Sequence, residues 1–292
     1  MSEKIYFNTS GKFSLRRSLV NWTTRLHHTL APAHARKTAR KVLLTPARMT
    51  AKNHPPKGMI KSQVESAEGK LTTYRLGEGP VWILTHGWSG SSSQFFPLME
   101  HIAAQGFTAL AYDHPAHGES EGAFGHVPAF VRGLEAILDS EPEFVGLIGH
   151  SMGNVTALEC RHAKLECRHA KLERCPMVLI APVLDYLDNL FGTVARSGYS
   201  MRLFEEVVNE VQDEYRYPIH SIQPYQSLKQ RKAPTIIVHD EKDRFARYAE
   251  SDKAAQEIEN VTLITTKNQG HGRIMKGSEV KVAFEQVVKS ID

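Results

Sequence analysis

The sequence lacks both long apolar runs and a set of pairable cysteines. No apolar run approaches the roughly 18 residues that a membrane-spanning helix needs. The N-terminal region also lacks the continuous apolar stretch of a signal peptide, because charged residues interrupt it. The three cysteines crowd between Cys160 and Cys175 and make no disulfide framework. Together these absences favour a cytoplasmic protein.

Acidic residues are almost missing from the first 60 positions. Glu3 is the only acid there, against twelve Lys or Arg, so this region carries a charge of +11. The other 232 residues hold 24 basic and 31 acidic groups, a charge of −7. The chain therefore divides into a basic extension, residues 1–58, and a mildly acidic domain, residues 59–292. We expect the extension to pack on the acidic side of its own domain, and no nucleic-acid partner is predicted.

Large apolar residues in the extension recur with helical spacing. Five of them are three or four positions apart and share one helix face: Leu15, Leu19, Trp22, Leu26 and Leu30. A second helix is predicted from about residue 33 to 44. A basic amphipathic helix either packs on its parent domain or lies on a membrane surface. We predict that residues 13–44 are helical and dock on the domain, with peripheral membrane contact as the alternative.

Beyond residue 60 the pattern changes to short apolar strands that alternate with helices. Such alternation predicts an α/β protein with a mostly parallel sheet and helices on both faces. One segment, about residues 185–229, breaks the alternation and is predicted to be a short helical cap over the carboxyl edge of the sheet. Strands are predicted at 62–66, 71–75, 81–85, 108–112, 144–148, 177–180, 235–238 and 261–265, the first two as a hairpin.

A seven-residue segment occurs twice in succession, at 159–165 and 166–172. Seven residues are nearly two helical turns, so the second copy preserves the helix face. We predict a lengthened helix, with a looped-out copy as the competing outcome. On either outcome one copy is expected to be dispensable, so that a protein without residues 166–172 still folds and stays active. A metal site at the Cys-Arg-His triplets is the alternative, which adjacent-turn geometry disfavours.

The pentapeptide Gly149-His150-Ser151-Met152-Gly153 follows an apolar strand and opens a helical stretch. This G-x-S-x-G pattern, in that context, is typical of a sharp strand-to-helix turn that exposes a serine nucleophile. Small flanking residues are needed because side chains there would collide with the neighbouring strand and helix. The pattern predicts Ser151 as the nucleophile; the alternative is a glycine-rich turn with an incidental serine.

A serine nucleophile needs a base to take its proton. The sequence has 15 histidines, so the base has to be identified by its place relative to the predicted strands. His271 follows the last predicted strand, in a loop expected above the same sheet edge as Ser151, and is the predicted base. His239, which also ends a strand, is its nearest rival. His86 is expected to brace its own loop, and His150 to point away around the turn.

The acid that orients the base is expected between Ser151 and His271 in the chain. Asp243 is preferred because it follows the strand at 235–238, with Asp240 and Asp185 as alternatives. Asp240 sits in the turn itself and is expected to shape it.

Two backbone N–H groups are expected to stabilise the oxyanion that develops on the substrate. Met152, at the start of the helix after the serine, supplies one of them. Trp88, in the loop after the strand at 81–85, is the predicted second donor.

The ordered motifs resemble those of the α/β-hydrolases over about residues 60–292. They are the segments 81–90, 112–120, 149–153, 238–243 and 270–271. The resemblance implies the α/β-hydrolase fold, Ser151, Asp243 and His271 as catalytic residues, and Trp88 and Met152 as oxyanion donors. The chain is most similar to bacterial members that carry a basic N-terminal helical arm and a short cap. It departs from the family at Ala116 and Asp240, where many members have glycine.

We therefore expect a serine hydrolase that cleaves a small-molecule carboxylic ester through an acyl-enzyme on Ser151, with no cofactor and no metal. An acyltransferase, a thioesterase or a carbon–carbon bond hydrolase on the same fold is the alternative, and a non-catalytic binding protein is a further one. Aromatic residues of the cap are expected mostly to form its own small core, and otherwise to line the pocket: Phe191, Tyr199, Phe204, Tyr215 and Tyr217. The substrate and the oligomeric state stay open.

Overall fold

An eight-stranded sheet lies at the centre of the part of the chain that the structure describes. The computed structural model describes residues 15–48, 53–160 and 175–290. The strands are β1 Ile60–Ser66, β2 Gly69–Leu76, β3 Val81–Thr85, β4 Thr108–Tyr112, β5 Phe144–His150, β6 Met177–Ile180, β7 Thr235–Asp240 and β8 Val261–Thr266. Their order is β1-β2-β4-β3-β5-β6-β7-β8, in which β2 runs antiparallel to both of its neighbours and all pairs from β4 to β8 are parallel. The predicted mostly parallel sheet is confirmed.

Helices cover both faces of this sheet, as the alternating pattern predicts. Two of them, α3 and α11, pack on one face, whereas α4, α5 and α9 pack on the other. The described helices are α1 Leu15–Leu30, α2 Pro32–Leu44, α3 Phe96–Ala104, α4 Val127–Ser140, α5 Met152–Glu159, α6 Tyr186–Ser197, α7 Met201–Tyr215, α8 Pro224–Lys229, α9 Tyr248–Glu257, α10 Gly270–Arg273 and α11 Ser278–Lys289.

The central strands are buried on both faces, which explains why they appear in the sequence as continuous apolar runs. Every residue of β3 is buried, and its Trp82 packs edge-on against Phe284 of α11 with ring centroids 5.1 Å apart. Gly146 on the neighbouring strand makes room for this indole, since a Cβ there would lie 2.2 Å from the Trp82 ring. The sheet is therefore a rigid base for the loops at its carboxyl edge.

Helices α6, α7 and α8 form a short cap between β6 and β7, and the N-terminal helices lie against this cap. Ala35 and Ala39 of α2 are fully buried against Leu203 and Val207 of α7. Ion pairs surround this contact, because the arm is basic and the facing side of α7 is acidic: Arg36 with Glu206 and Glu210, and Arg40 with Glu214.

Helix α1 contacts the cap through its polar face and not through the apolar face that the sequence pattern suggests. Its contacts with the cap are made by polar side chains: Asn21 Nδ2 donates to Gly198 O at 3.2 Å, and Thr24 Oγ1 accepts from Ser200 N at 3.2 Å. The five large apolar residues instead face solvent, with exposed fractions from 39% at Leu26 to 78% at Leu15. The expectation that this apolar face packs on the domain is therefore wrong, because the small residues of α2 and the polar face of α1 provide the docking surface.

No helix within the described ranges is both long and apolar enough to cross a membrane. Apart from Glu159 and Cys160, the duplicated heptapeptides lie outside the described residues, and with them the predicted lengthening of their helix.

Candidate active site

Ser151 occupies the sharp turn between β5 and α5 in a conformation that residues other than glycine seldom adopt. Its backbone angles are φ 55° and ψ −120°. The flanking glycines make this turn possible: a Cβ at Gly149 would lie 2.1 Å from Asn154 Oδ1, and one at Gly153 would lie 2.1 Å from Thr85 O. Ser151 N donates to Ile180 O at 3.0 Å, which ties the turn to β6.

Ser151, His271 and Asp243 form one continuous chain of hydrogen bonds. His271 Nε2 lies 2.8 Å from Ser151 Oγ, and His271 Nδ1 lies 2.7 Å from Asp243 Oδ2. Because an ionised carboxylate only accepts hydrogen bonds, Nδ1 carries the ring proton and Nε2 accepts from the serine hydroxyl. An imidazole held in this tautomer can take a proton from the serine. His271 lies within the single helical turn α10 rather than in an open loop as expected.

Asp243 is buried and held on both carboxylate oxygens. Its Oδ1 accepts from Phe245 N at 2.7 Å and from Ala246 N at 3.1 Å, while Oδ2 faces His271. Burial alone would raise the pKa of Asp243, but the close approach of His239 and the hydrogen bond and charge of His271 outweigh it. The pKa of Asp243 therefore lies well below its ordinary value, and the group stays ionised.

The rival candidates for base and acid lie in supporting positions. His239 does not reach the serine: its Nδ1 lies 2.7 Å from Ser251 Oγ, and its Nε2 lies 3.4 Å from Asp243 Oδ2. Asp240 shapes the turn as expected, since its carboxylate accepts from Lys242 N at 2.9 Å and from Gln269 N at 2.8 Å. Asp185 lies at the start of α6, where it pairs with Arg247 at 3.2 Å.

Two further histidines brace the backbone around the serine. His86 Nδ1 donates to Gly87 O at 2.8 Å and its Nε2 accepts from His114 N at 3.0 Å, so it holds its loop as expected. His150 does not point away from the site: its Nε2 donates to His271 O at 3.0 Å. Burial lowers the pKa of His150 to about 3, which keeps it neutral. Sequence reasoning missed this support, because only the packing of α10 on the turn brings the two histidines together.

A sequence model described as the alpha/beta hydrolase family matches residues 82–281, more than half of the chain. The chain belongs to the α/β-hydrolase family. No curated protein sequence matches it significantly.

Several solved structures share the fold of this chain at low sequence identity. An esterase from Pyrococcus furiosus has 22% identity and a TM-score of 0.60, over 84% of this chain and 96% of that one. The ferulic-acid-bound Est1E from Butyrivibrio proteoclasticus has 17% identity and a TM-score of 0.59, over 79% and 99%. A thioesterase domain from the curacin biosynthetic pathway has 17% identity and a TM-score of 0.54, over 81% and 100%. At these identities the likeness shows the fold alone.

The α/β-hydrolase loop after β3 passes directly over Ser151. A Cβ at Gly87 would lie 2.7 Å from Ser151 Cβ and 3.3 Å from Ser151 Oγ, so a residue with a side chain would collide with the serine at this position. The loop is held in place because Ser89 N donates to His117 Nε2 at 3.0 Å and Gly90 N donates to Gly87 O at 2.9 Å. Among the described residues, neither Trp88 N–H nor Met152 N–H donates to another group. An N–H group without such a bond meets one condition for an oxyanion donor.

Ala116 and Asp240, where the chain departs from the family pattern, do not contact Ser151. Ala116 adopts φ 64°, the left-handed region that favours the glycine many α/β-hydrolases have there.

Asp113, which sequence reasoning did not single out, accepts from Ser92 N at 2.7 Å and from Glu119 N at 2.9 Å. Its position directly after β4 is the signal that could have found it.

The cap aromatics join the main hydrophobic core instead of forming a separate small core of the cap, so that expectation is wrong: Phe204 is part of the main core, and Phe191, Tyr199, Tyr215 and Tyr217 pack against it. Phe191 packs edge-on against the buried Phe204 with centroids 5.0 Å apart, and Tyr215 OH donates to Glu68 Oε2 at 2.7 Å. Phe245, which is not part of the cap, lies beside the site, with its ring centroid 5.2 Å from that of His271. Within the described ranges no cluster of three His, Cys, Asp or Glu is arranged to hold a metal ion.

Proposed function

We propose that this α/β-hydrolase is a serine esterase that cleaves small-molecule carboxylic esters through an acyl-enzyme on Ser151. The observation that carries the proposal is the hydrogen-bonded chain from Ser151 Oγ through His271 to the ionised Asp243. A hydroxyl at a strained turn, a base in the correct tautomer and a fixed acid are the parts that acyl transfer needs.

In the first half-reaction, Ser151 Oγ attacks the ester carbonyl while its proton moves to His271 Nε2. The carbonyl oxygen becomes an oxyanion, and the N–H groups of Met152 and Trp88 donate to it. When the tetrahedral intermediate collapses, the bond to the leaving alcohol breaks and His271 gives its proton to that oxygen. Asp243 stabilises the imidazolium that exists between these two transfers.

In the second half-reaction, water attacks the acyl-enzyme by the same route. His271 takes a proton from the water, the oxyanion forms again in the same place, and the bond to Ser151 Oγ breaks. Ser151 recovers its proton from His271, and the carboxylic acid leaves. None of these steps requires a cofactor or a metal.

The experiment is a panel of p-nitrophenyl esters of rising acyl-chain length, run on the wild type and on Ser151→Ala. We expect turnover by the wild type and a loss of about 10³-fold or more in kcat/KM for the variant, with an unchanged melting temperature. Thioester substrates and added alcohols in the same panel separate ester hydrolysis from thioester cleavage and acyl transfer. Turnover of the variant within tenfold of wild type contradicts the proposal.

A further inference from the structure

Helix α1 presents its apolar face to solvent and its polar face to the protein. The exposed apolar stripe consists of five residues, with their exposed fractions: Leu15 78%, Leu19 61%, Trp22 62%, Leu26 39% and Leu30 74%. Surface helices of globular proteins bury such a stripe against their own core. This exposed stripe is therefore unusual, and exposed apolar patches of this kind mark surfaces that bind another molecule or a membrane.

The stripe cannot turn inward without breaking the docking of α1. Asn21, Thr24 and His28 are three and four positions apart, so they share a second face, which the 100° rotation per residue places opposite the stripe. All three contact the cap: Asn21 bonds Gly198, Thr24 bonds Ser200, and His28 Nε2 lies 3.0 Å from Glu206 Oε2. Docking through this face fixes the stripe outward.

The charge that the two helices of the arm themselves carry has one sign. No Asp or Glu occurs between Lys4 and Val64, so neither α1 nor α2 carries an acid. Arg16 and Arg25 lie about 80° to 100° to either side of the stripe's centre, by the rotation of an α-helix. In α2, Arg36 and Arg40 pair with acids of the cap, whereas Arg25 on α1 is exposed.

A shallow groove of about 410 Å³ runs along one flank of the stripe, between α1 and the start of α7. Its lining includes Arg25, His28 and Arg202, of which His28 and Arg202 each pair with Glu206. Arg25, which is exposed, is therefore the basic side chain of this groove that is best placed to meet a phosphate group beside the stripe.

We propose that α1 is an interfacial helix that attaches this protein to an anionic lipid surface. An apolar face with a tryptophan at its middle, basic flanks and no acids are the features of a helix that lies in the plane of a membrane interface. A second copy of this chain fits less well. The stripe is one helix wide, whereas a stable protein interface buries about 800 Å² on each partner, and two such faces would bring like charges together.

The test is flotation of the full-length protein with vesicles of phosphatidylcholine, alone or with about 30% phosphatidylglycerol. We expect at least tenfold more protein bound to the anionic vesicles, less binding in high salt, and a blue shift of tryptophan emission that Trp22→Phe removes. Leu19→Glu/Leu26→Glu should lose at least tenfold in binding. The matched control is Ile60→Glu/Val282→Glu, which places the same charges at positions 62% and 42% exposed elsewhere and should bind as the wild type does.

Three results overturn the proposal. One is wild-type protein that fails to float with anionic vesicles, and another is a Leu19→Glu/Leu26→Glu variant that floats as well as wild type. The third is a wild-type dimer, by light scattering, that this variant converts to monomer, because the stripe's occupant would then be a second copy. Should the double variant unfold, the emission shift of wild type against Trp22→Phe decides the matter.

Discussion

At the scale of single residues, Asp243 and Asp240 divide two tasks between neighbouring carboxylates. Asp243 accepts from two backbone N–H groups and from His271, so its charge is fixed beside the imidazole. Asp240 accepts from Lys242 N, Thr266 Oγ1 and Gln269 N, so it ties the end of β7 to the segment that leads to α10. In the proposed mechanism Asp243 stabilises the charge on His271, and Asp240 helps to hold His271 in place.

The two tasks predict different losses on amide substitution. Asp243→Asn should lower kcat by about 10³-fold or more, because the amide cannot stabilise the imidazolium and favours the wrong tautomer. Asp240→Asn should lower the melting temperature but change kcat by less than about tenfold. Ester kinetics and thermal melts of both variants, with Asp185→Asn alongside, check this. A larger kcat loss at Asp240 or Asp185 than at Asp243 would move the acid to that residue.

The glycines of the site also differ in what they permit. A Cβ at Gly153 would lie 2.1 Å from Thr85 O, which is backbone of β3 and cannot move aside, whereas a Cβ at Gly272 meets nothing within 4 Å. Gly153→Ala should therefore cost roughly 2–4 kcal/mol of stability, and Gly272→Ala should change it by less than about 1 kcal/mol. Urea unfolding of the two variants measures both. Equal losses would show that the tight turn at Ser151 does not depend on Gly153.

At the scale of elements, the sequence predicts the sheet better than the docking of the arm. The strands β3, β4 and β6 have the bounds that the sequence predicts, because strands buried on both faces are mostly apolar and stand out from the polar segments beside them. Ser151 and His271 could be predicted as site residues because each comes after the carboxyl end of a predicted strand. The docking face of α1 could not be predicted, since an apolar stripe identifies a helix but not its partner. The contact of His150 with His271 depends on tertiary packing alone.

Docking of the arm depends on the small residues of α2. Ala39 is fully buried against α7, while Lys41, on the same helix, is exposed. Ala39→Asp should lower the melting temperature, because a buried carboxylate without a partner opposes the contact. Lys41→Asp should change it little.

The decrease in melting temperature caused by Ala39→Asp has an upper limit, because the arm can undock rather than bury the charge. Deletion of residues 1–44 should therefore lower the melting temperature at least as much as Ala39→Asp, and it should lower ester turnover far less. A truncated protein that melts with the wild type would show that the arm contributes nothing to the stability of the domain.

At the scale of the whole molecule, burial of neutral histidines makes stability depend on pH. Burial is the first cause that lowers the pKa in each of five cases: to about 4 at His86, to about 3 at His117, His126 and His150, and well below the ordinary value at His114. The unfolded chain therefore binds more protons than the folded one below the ordinary histidine pKa of about 6.5. Their stabilising effect is complete above that pH and is lost as the pH falls towards the folded values.

Stability should accordingly fall steeply between pH 6.5 and 5, with more than one proton taken up on unfolding. Each such proton corresponds to about 1.4 kcal/mol per pH unit. His126 offers a matched variant, because it caps α4 by accepting from Ala129 N at 3.2 Å, and asparagine can cap without titrating. Urea unfolding against pH should give His126→Asn a slope about one proton smaller. An unchanged slope, or stability that is flat over this range, would contradict the assignment of neutral buried histidines.

The central claim is that Ser151 is a nucleophile activated by His271, and covalent labelling tests it most directly. A fluorophosphonate probe reacts with an activated serine hydroxyl and leaves a stable adduct. Intact-mass and peptide mass spectrometry of the labelled wild type should show one adduct, on the peptide that contains Ser151, and Ser151→Ala should show none. A wild type that stays unlabelled, or an adduct that persists on another serine in Ser151→Ala, would contradict the account.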